Sequence, residues 1–240
     1  MPDSAPVALI TGASRGIGAA AARKFAAAGY DLLLLARTKS DLESLTTALA
    51  PSGRRVESIA LDLAEPATIS PGLEALCSRG LTPTVVINNA GVAYTGSLAV
   101  MPLDQWQRLM QLNLTAVFQV CQSLLPRLRD AGGGHIINVN SHAAHQAFPD
   151  WGAYCVSKAA LVSLSRCLAV EERPSGIRVS TLTLGAVNTP LWESETVHST
   201  FDRRAMLDAD RAAEALLYLA QQPSASVVED LTLMPAAGAL

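Results

Sequence analysis

Short runs rich in leucine and β-branched residues alternate with longer amphipathic stretches along the whole 240-residue chain, and this alternation limits the possible folds more than any other feature. Residues 7–11, 31–36, 55–61, 84–88, 135–140, 178–184 and 230–234 read as strands. Most are nearly continuous in apolar character, as strands covered by helices on both faces must be. Between them, residues 15–28, 40–50, 66–79, 103–129, 154–172 and 209–221 carry helical periodicity. The order predicts an α/β fold, a doubly wound parallel sheet of about seven strands with helices on both faces. Breakers fall between elements, at Pro51-Ser52-Gly53, Gly132-Gly133-Gly134 and Pro174-Ser175-Gly176.

No repeat, low-complexity linker or shift in composition marks a boundary, so residues 1–240 read as one domain. Half the residues are apolar and 16% are charged, ample for a large core, and a net charge of −3 offers no basic footprint for nucleic acid. Cys77, Cys121, Cys155 and Cys167 are scattered and read as reduced thiols, and the four histidines form no metal-ligand pattern. The start, Met1-Pro2-Asp3-Ser4-Ala5-Pro6, lacks a basic region ahead of an apolar core, and no uninterrupted apolar run approaches membrane-spanning length. The expectation is a soluble cytoplasmic protein without metal.

Residues 7–18 form a strand, a glycine-rich turn and a helix start, with Gly12, Gly16 and Gly18 in a Gly-x-x-x-Gly-x-Gly spacing. Glycine permits a tight turn and close backbone approach, and the helix N-terminus offers free N–H groups to a pyrophosphate. The second strand decides which dinucleotide is expected. An NAD site places a carboxylate near that strand's end for the ribose hydroxyls; here Leu32 to Ala36 end without an acid and Arg37 follows, with Arg15 in the turn itself. Two guanidiniums and no carboxylate suit a 2′-phosphate, so NADP(H) is expected, the alternative being two solvated loop arginines.

Tyr154 and Lys158 stand four apart and share one face of a helix. An ammonium near a phenol favours the phenolate and lowers a pKa otherwise near 10. Taken alone the spacing is common in helices. In this chain it follows Asn88-Asn89-Ala90-Gly91 after the fourth strand, Asn113 within a long helical stretch, and Ser141 thirteen residues before the tyrosine.

With these motifs the chain resembles the short-chain dehydrogenase/reductase family over essentially its full length. The resemblance implies a Rossmann-type sheet and a catalytic tetrad of Asn113, Ser141, Tyr154 and Lys158. Ser141 would hydrogen-bond a substrate carbonyl, Tyr154 would exchange its proton as hydride moves to or from a nicotinamide, and Lys158 would lower the tyrosine pKa and reach the nicotinamide ribose. Asn113 would hold a water linking the lysine to solvent. For the cofactor, the resemblance implies contacts from Gly12, Ser14, Arg15, Gly16, Ile17, Gly18 and Arg37, from Asp62 and Leu63 at the adenine, and from Asn89 at the adenosine ribose. Val187 and Thr189 would meet the carboxamide, beside Tyr154 and Lys158. Asn88 and Gly91 would support the sheet.

Three departures stand out. The family's Pro-Gly after the sixth strand is Leu184-Gly185 here, the C-terminus lacks an Asp-Gly-Gly sequence, and Ser175 occupies a place where 3-oxoacyl-carrier-protein reductases tend to carry a basic docking residue. Residues 190–206 break the βα rhythm, either as a surface insertion or, over about 186–207, as a lid on a ligand. His142, His145, Phe148 and Trp151, with Trp192 in that segment, either border the substrate or cover the sheet edge or a subunit contact. Residues such as Val117, Phe118 and Leu164 leave surplus apolar surface on the two long helices, where the resemblance implies a subunit contact and hence a homodimer or homotetramer. The leading expectation is an NADP(H)-dependent oxidoreductase acting on a small carbonyl or alcohol. A 3-oxoacyl reductase activity and a non-catalytic NADP(H)-binding regulator are the alternatives.

Overall fold

The computed structural model describes residues 5–239, so Met1 to Ser4 and Leu240, including most of the N-terminal stretch read above, lie outside the described residues. Strands and helices alternate as the sequence leads one to expect: β1 (Val7–Thr11), α1 (Gly16–Ala27), β2 (Asp31–Ala36), α2 (Lys39–Leu49), β3 (Val56–Ala60), α3 (Pro66–Cys77) and β4 (Val85–Asn88). There follow α4 (Leu103–Met110), α5 (Ala116–Asp130), β5 (Gly134–Ser141), α6 (Gly152–Glu172), β6 (Ile177–Leu184), the two-residue strands β7 (Val187–Asn188) and β8 (Leu207–Asp208), α7 (Ala209–Ala220) and β9 (Asp230–Leu233).

The main sheet has seven parallel strands in the order β3-β2-β1-β4-β5-β6-β9. Its strands, the edge strands β3 and β9 apart, bury both faces, and the period of two along each strand sorts their side chains. Ala8, Ile10, Leu32, Leu34, Ile87, Ile137 and Leu182 join α1, α2 and α7 in one core. Leu9, Leu33, Leu35, Val86, Ile136 and Val179 join α3, α5 and α6 in the other. The chain enters in the middle at β1, winds outward to β3, then returns to β4 on the other side of β1. That reversal opens a crevice above the C-terminal strand ends, where ligands of such sheets bind.

One expectation is corrected. The sequence suggests a single helix over 103–129, but a π-helical turn at Gln111–Thr115 divides α4 from α5. Leu109, Leu112 and Ala116 stay buried through this turn, so the apolar rhythm that suggests one helix survives the extra residue. Such turns redirect one side chain without ending a helix, and here the redirected stretch contains Asn113. By length and composition alone Gly152–Ser175 could cross a membrane; in the fold α6 packs on β5 and β6 and holds Lys158, Ser157 and Glu172 buried.

Candidate active site

The crevice is a cavity of about 320 Å³ running from the glycine turn to the residues after β6. At its β1 end, Gly12 and Gly16 adopt φ of +64° and +54°, a region that side chains oppose. The turn is also pressed against its neighbours. A Cβ on Gly18 would lie 2.2 Å from the Gly12 carbonyl oxygen, and one on Gly12 would lie 2.9 Å from Ala90 Cα. Asn89 fixes this junction, its Nδ2 donating to the carbonyls of Thr11 (2.9 Å) and Gly12 (3.3 Å). The Thr11 hydroxyl accepts from the backbone N–H of both Asn89 and Ala90. Arg15 and Arg37 are exposed at the rim, and Asp62 bends the chain after β3 by accepting from Ala64 N at 2.9 Å.

At the other end, β5 delivers Ser141 and the first turn of α6 delivers Tyr154, with Lys158 one turn further on. The hydroxyl of Ser141 accepts from Ala143 N at 3.2 Å, and Ser141 lines the same cavity as Tyr154. Lys158 is buried, its Nζ donating to the Val139 carbonyl at 3.1 Å and lying 5.7 Å from the centre of the Tyr154 ring. Burial acts on both groups in opposite directions. It pushes Tyr154 up to about 12, against the partial pull of the Ser141 hydroxyl, and lowers Lys158 to about 8. In this state withdrawal of the phenol from water dominates, and Lys158 is not among the groups that shift Tyr154.

Asn113 lies behind the cavity wall. Its Nδ2 donates to the Val92 carbonyl at 2.9 Å and to Ser157 Oγ at 3.0 Å, while its Oδ1 accepts from Val92 N at 2.9 Å. It thus braces the loop after β4 against α6. Asn88 braces the sheet beneath, donating to Asn138 Oδ1 at 2.8 Å.

Arrangements of this kind recur in known proteins. A family model described as short chain dehydrogenase matches residues 6–199. The chain belongs to the short-chain dehydrogenase family. It is 30% identical over 228 residues to D-threitol dehydrogenase of Mycolicibacterium smegmatis, an alignment covering 92% of this chain and 88% of that one. Among solved structures it resembles an alcohol dehydrogenase from the archaeon Thermococcus sibiricus, complexed with 5-hydroxy-NADP, at a TM-score of 0.89 and 30% identity over 97% of each chain. It also resembles L-sorbose reductase of Gluconobacter frateurii, complexed with NADPH and L-sorbose, at a TM-score of 0.88 and 28% identity over 99% of this chain and 97% of that one.

In this short-chain dehydrogenase, Gly12, Ser14, Arg15, Gly16, Ile17, Arg37, Asp62, Leu63, Asn89, Ser141, Tyr154, Lys158, Val187 and Thr189 all line the one cavity. Gly18 and Asn113 do not; each sits directly behind a residue that does. The residues present fit a dinucleotide. The glycine cradle has no space for side chains, and Asn140 on the cavity lining is 2% exposed with neither amide atom partnered, a state that a polar ligand group relieves. Two of the departures from the family pattern touch each other: a Cβ on Gly185 would lie 2.5 Å from Pro235 Cδ, so the C-terminal segment braces the residue after β6.

Three features escape the sequence reading. Val139 acts through its carbonyl, which no side-chain pattern reveals. Asn140 is hidden beside the more obvious Ser141. Phe201 lies 47 residues beyond Tyr154 in the chain yet lines the same cavity. Of the loop residues expected at the substrate, His142, Phe148, Trp151 and Trp192 line the cavity, whereas His145 is exposed outside it.

Proposed function

We propose that this short-chain dehydrogenase is an NADP(H)-dependent oxidoreductase that interconverts a carbonyl and a secondary alcohol, with Tyr154 as general acid and base. The observation that carries the reading is the meeting of Ser141, Tyr154 and Lys158 at the inner end of a cavity whose outer end is the glycine cradle. The nicotinamide cofactor, when bound, supplies or accepts the hydride. Ser141 Oγ holds the substrate oxygen beside the Tyr154 hydroxyl. That hydroxyl, kept protonated by burial, donates its proton as the oxygen gains charge and takes it back in the reverse direction. Lys158 steadies the phenolate and reaches the nicotinamide ribose with the N–H groups that Val139 leaves free.

Asn113 is assigned a water between its Oδ1 and Lys158. Both atoms flank Gly91, where a Cβ would meet Oδ1 at 3.2 Å and Nζ at 3.8 Å, and Oδ1 keeps one lone pair beyond the Val92 bond. Arg15 and Arg37 are assigned the 2′-phosphate, Gly12 to Gly18 the pyrophosphate, Asp62 and Leu63 the adenine, Asn89 Oδ1 the adenosine ribose, and Val187 and Thr189 the carboxamide. The complexes of the two structural relatives with 5-hydroxy-NADP and NADPH support this choice of cofactor.

We further assign residues 186–207 as a lid within one domain. Its ends are pinned by the β7–β8 pair, and its middle is tied to the loop after β4 through Thr95 N to Thr196 O (2.8 Å) and Thr196 Oγ1 to Ala93 O (2.7 Å). Phe118 on α5 and Val156 and Val170 on α6 are exposed and suit a homodimer or homotetramer, and the four free cysteines accord with the cytoplasm. The test is oxidation of NADPH and NADH with 2,3-butanedione and a set of small ketones. Turnover with NADPH preferred over NADH by about tenfold or more is expected, the worth of one charge-assisted phosphate contact. A preference for NADH overturns the cofactor assignment; tight NADPH binding without turnover of any ketone favours the regulator.

A further inference from the structure

Tyr154 is the first ring of an edge-to-face series that crosses from the catalytic helix to the lid. Trp151 stacks on Tyr154 with ring centres 5.5 Å apart, Trp192 on Trp151 at 5.6 Å, and Phe201 on Trp192 at 5.6 Å, with interplanar angles from 61° to 71°. All four line the cavity. The polar atom of Trp192 is already spent, its indole N–H donating to the Val187 carbonyl at 2.8 Å, so towards the cavity this ring offers carbon only. Phe148, Leu191 and Phe201 have no polar side-chain atom, and Ala143 and Met234 extend the same apolar lining. The charged residues of the cavity lie elsewhere: Arg15, Arg37 and Asp62 at the glycine-turn end, and Lys158 behind Tyr154.

From this we infer the substrate class: a neutral ketone, or its secondary alcohol, carrying an aromatic or similarly broad apolar group next to the reacting carbon. The inference rests on the reading of Tyr154 and Ser141 as the carbonyl-handling pair. The carbonyl oxygen meets those two hydroxyls, which places the attached group against Trp151, Trp192 and Phe201, where flat rings pack edge to face. A polyhydroxylated chain in the same position turns its hydroxyls toward carbon and loses their hydrogen bonds to water without replacement. A carboxylate or phosphate tail finds no lysine or arginine among the cavity-lining residues at this end, and the one imidazole there, His142, is hydrogen-bonded to Gln146 Oε1 at 3.1 Å. The series also joins α6 to the lid.

The experiment compares kcat/KM with NADPH for acetophenone, 2,3-butanedione and L-sorbose in the wild type, Trp192→Ala and Phe201→Ala. Acetophenone is expected to exceed L-sorbose by about a hundredfold or more. The acetophenone-to-butanedione ratio is expected to fall about tenfold in each variant, a loss of the size one apolar contact gives. Phe201→Ala serves as the second variant because Phe201 is only half-buried and lies outside both cores. L-Sorbose turned over as well as acetophenone, or a ratio unchanged in both variants, overturns the substrate class while leaving carbonyl reduction standing. If none of the three ketones is reduced although NADPH binds, the underlying reading fails and this one with it.

Discussion

At the β1–β4 end of the cavity the wall is backbone, and at the β6–lid end it is side chain. Around Gly12 and Gly18 the chain approaches itself within distances that no Cβ fits, and Asn89 and Thr11 bond only to main-chain atoms there. Across the cavity, Trp151, Trp192 and Phe201 come from two separate irregular segments and meet only through their rings. A backbone wall has one shape and is specified by which residues are glycine. A side-chain wall can be repacked by substitution without disturbing the sheet. The first kind suits a constant ligand, and the second lets a constant reaction be directed to different substrates.

Tyr154, the proposed proton donor, lies where the two halves meet, and the largest expected effect probes whether they act on it separately. Burial holds Tyr154 at about 12, so the phenolate needed to remove a proton from an alcohol grows about tenfold for each pH unit below that value. Alcohol oxidation should therefore climb about a thousandfold between pH 7 and pH 10, while ketone reduction, which uses the phenol, does not rise with it. NADPH affinity should weaken only modestly over the same range, as Lys158, lowered to about 8 by burial, loses the charge assigned to the ribose while the glycine cradle is unaffected. Initial rates in both directions across that range check this. Oxidation that levels off near pH 8 would show that the bound cofactor end pulls the tyrosine down and that the halves are coupled.

A smaller effect is expected at the rigid wall. Gly18→Ala places its methyl 2.2 Å from the Gly12 carbonyl oxygen, and neither backbone segment can move aside without displacing Asn89. Misfit of about 3 kcal/mol, roughly a hundredfold in NADPH Kd, is the predicted cost, read by fluorescence titration alongside a melting curve. An alanine variant that binds NADPH as tightly as the wild type would mean that this wall yields, and the contrast between the two ends would lose its basis.

The same contrast explains what could be read from the sequence. Strands β1, β2 and β4 were legible because double burial leaves almost no polar residue within them, as in Leu32 to Ala36. The glycine turn was legible because only glycine fits the conformations of Gly12 and Gly16. Tyr154, Lys158 and Ser141 were legible by spacing within one helix and from one strand end. The π turn was hidden because one inserted residue hardly alters a run of buried positions. The brace made by Asn113, the carbonyl of Val139 and the place of Phe201 depend on segments far apart in sequence, where spacing carries no information. The upward shift of Tyr154 was equally out of reach, since it depends on how deeply a phenol is withdrawn from water.

The most direct measurement replaces Tyr154 with Phe, which keeps the ring against Trp151 and removes only the hydroxyl. NADPH affinity and the rate of NADPH oxidation with a ketone that the wild type reduces are then measured on the same preparation. The predicted result is a fall in kcat of about a thousandfold, the scale of lost general acid–base catalysis, with the NADPH Kd unchanged within about twofold. A variant that still turns over within about tenfold of the wild type would contradict the assignment of proton transfer to Tyr154.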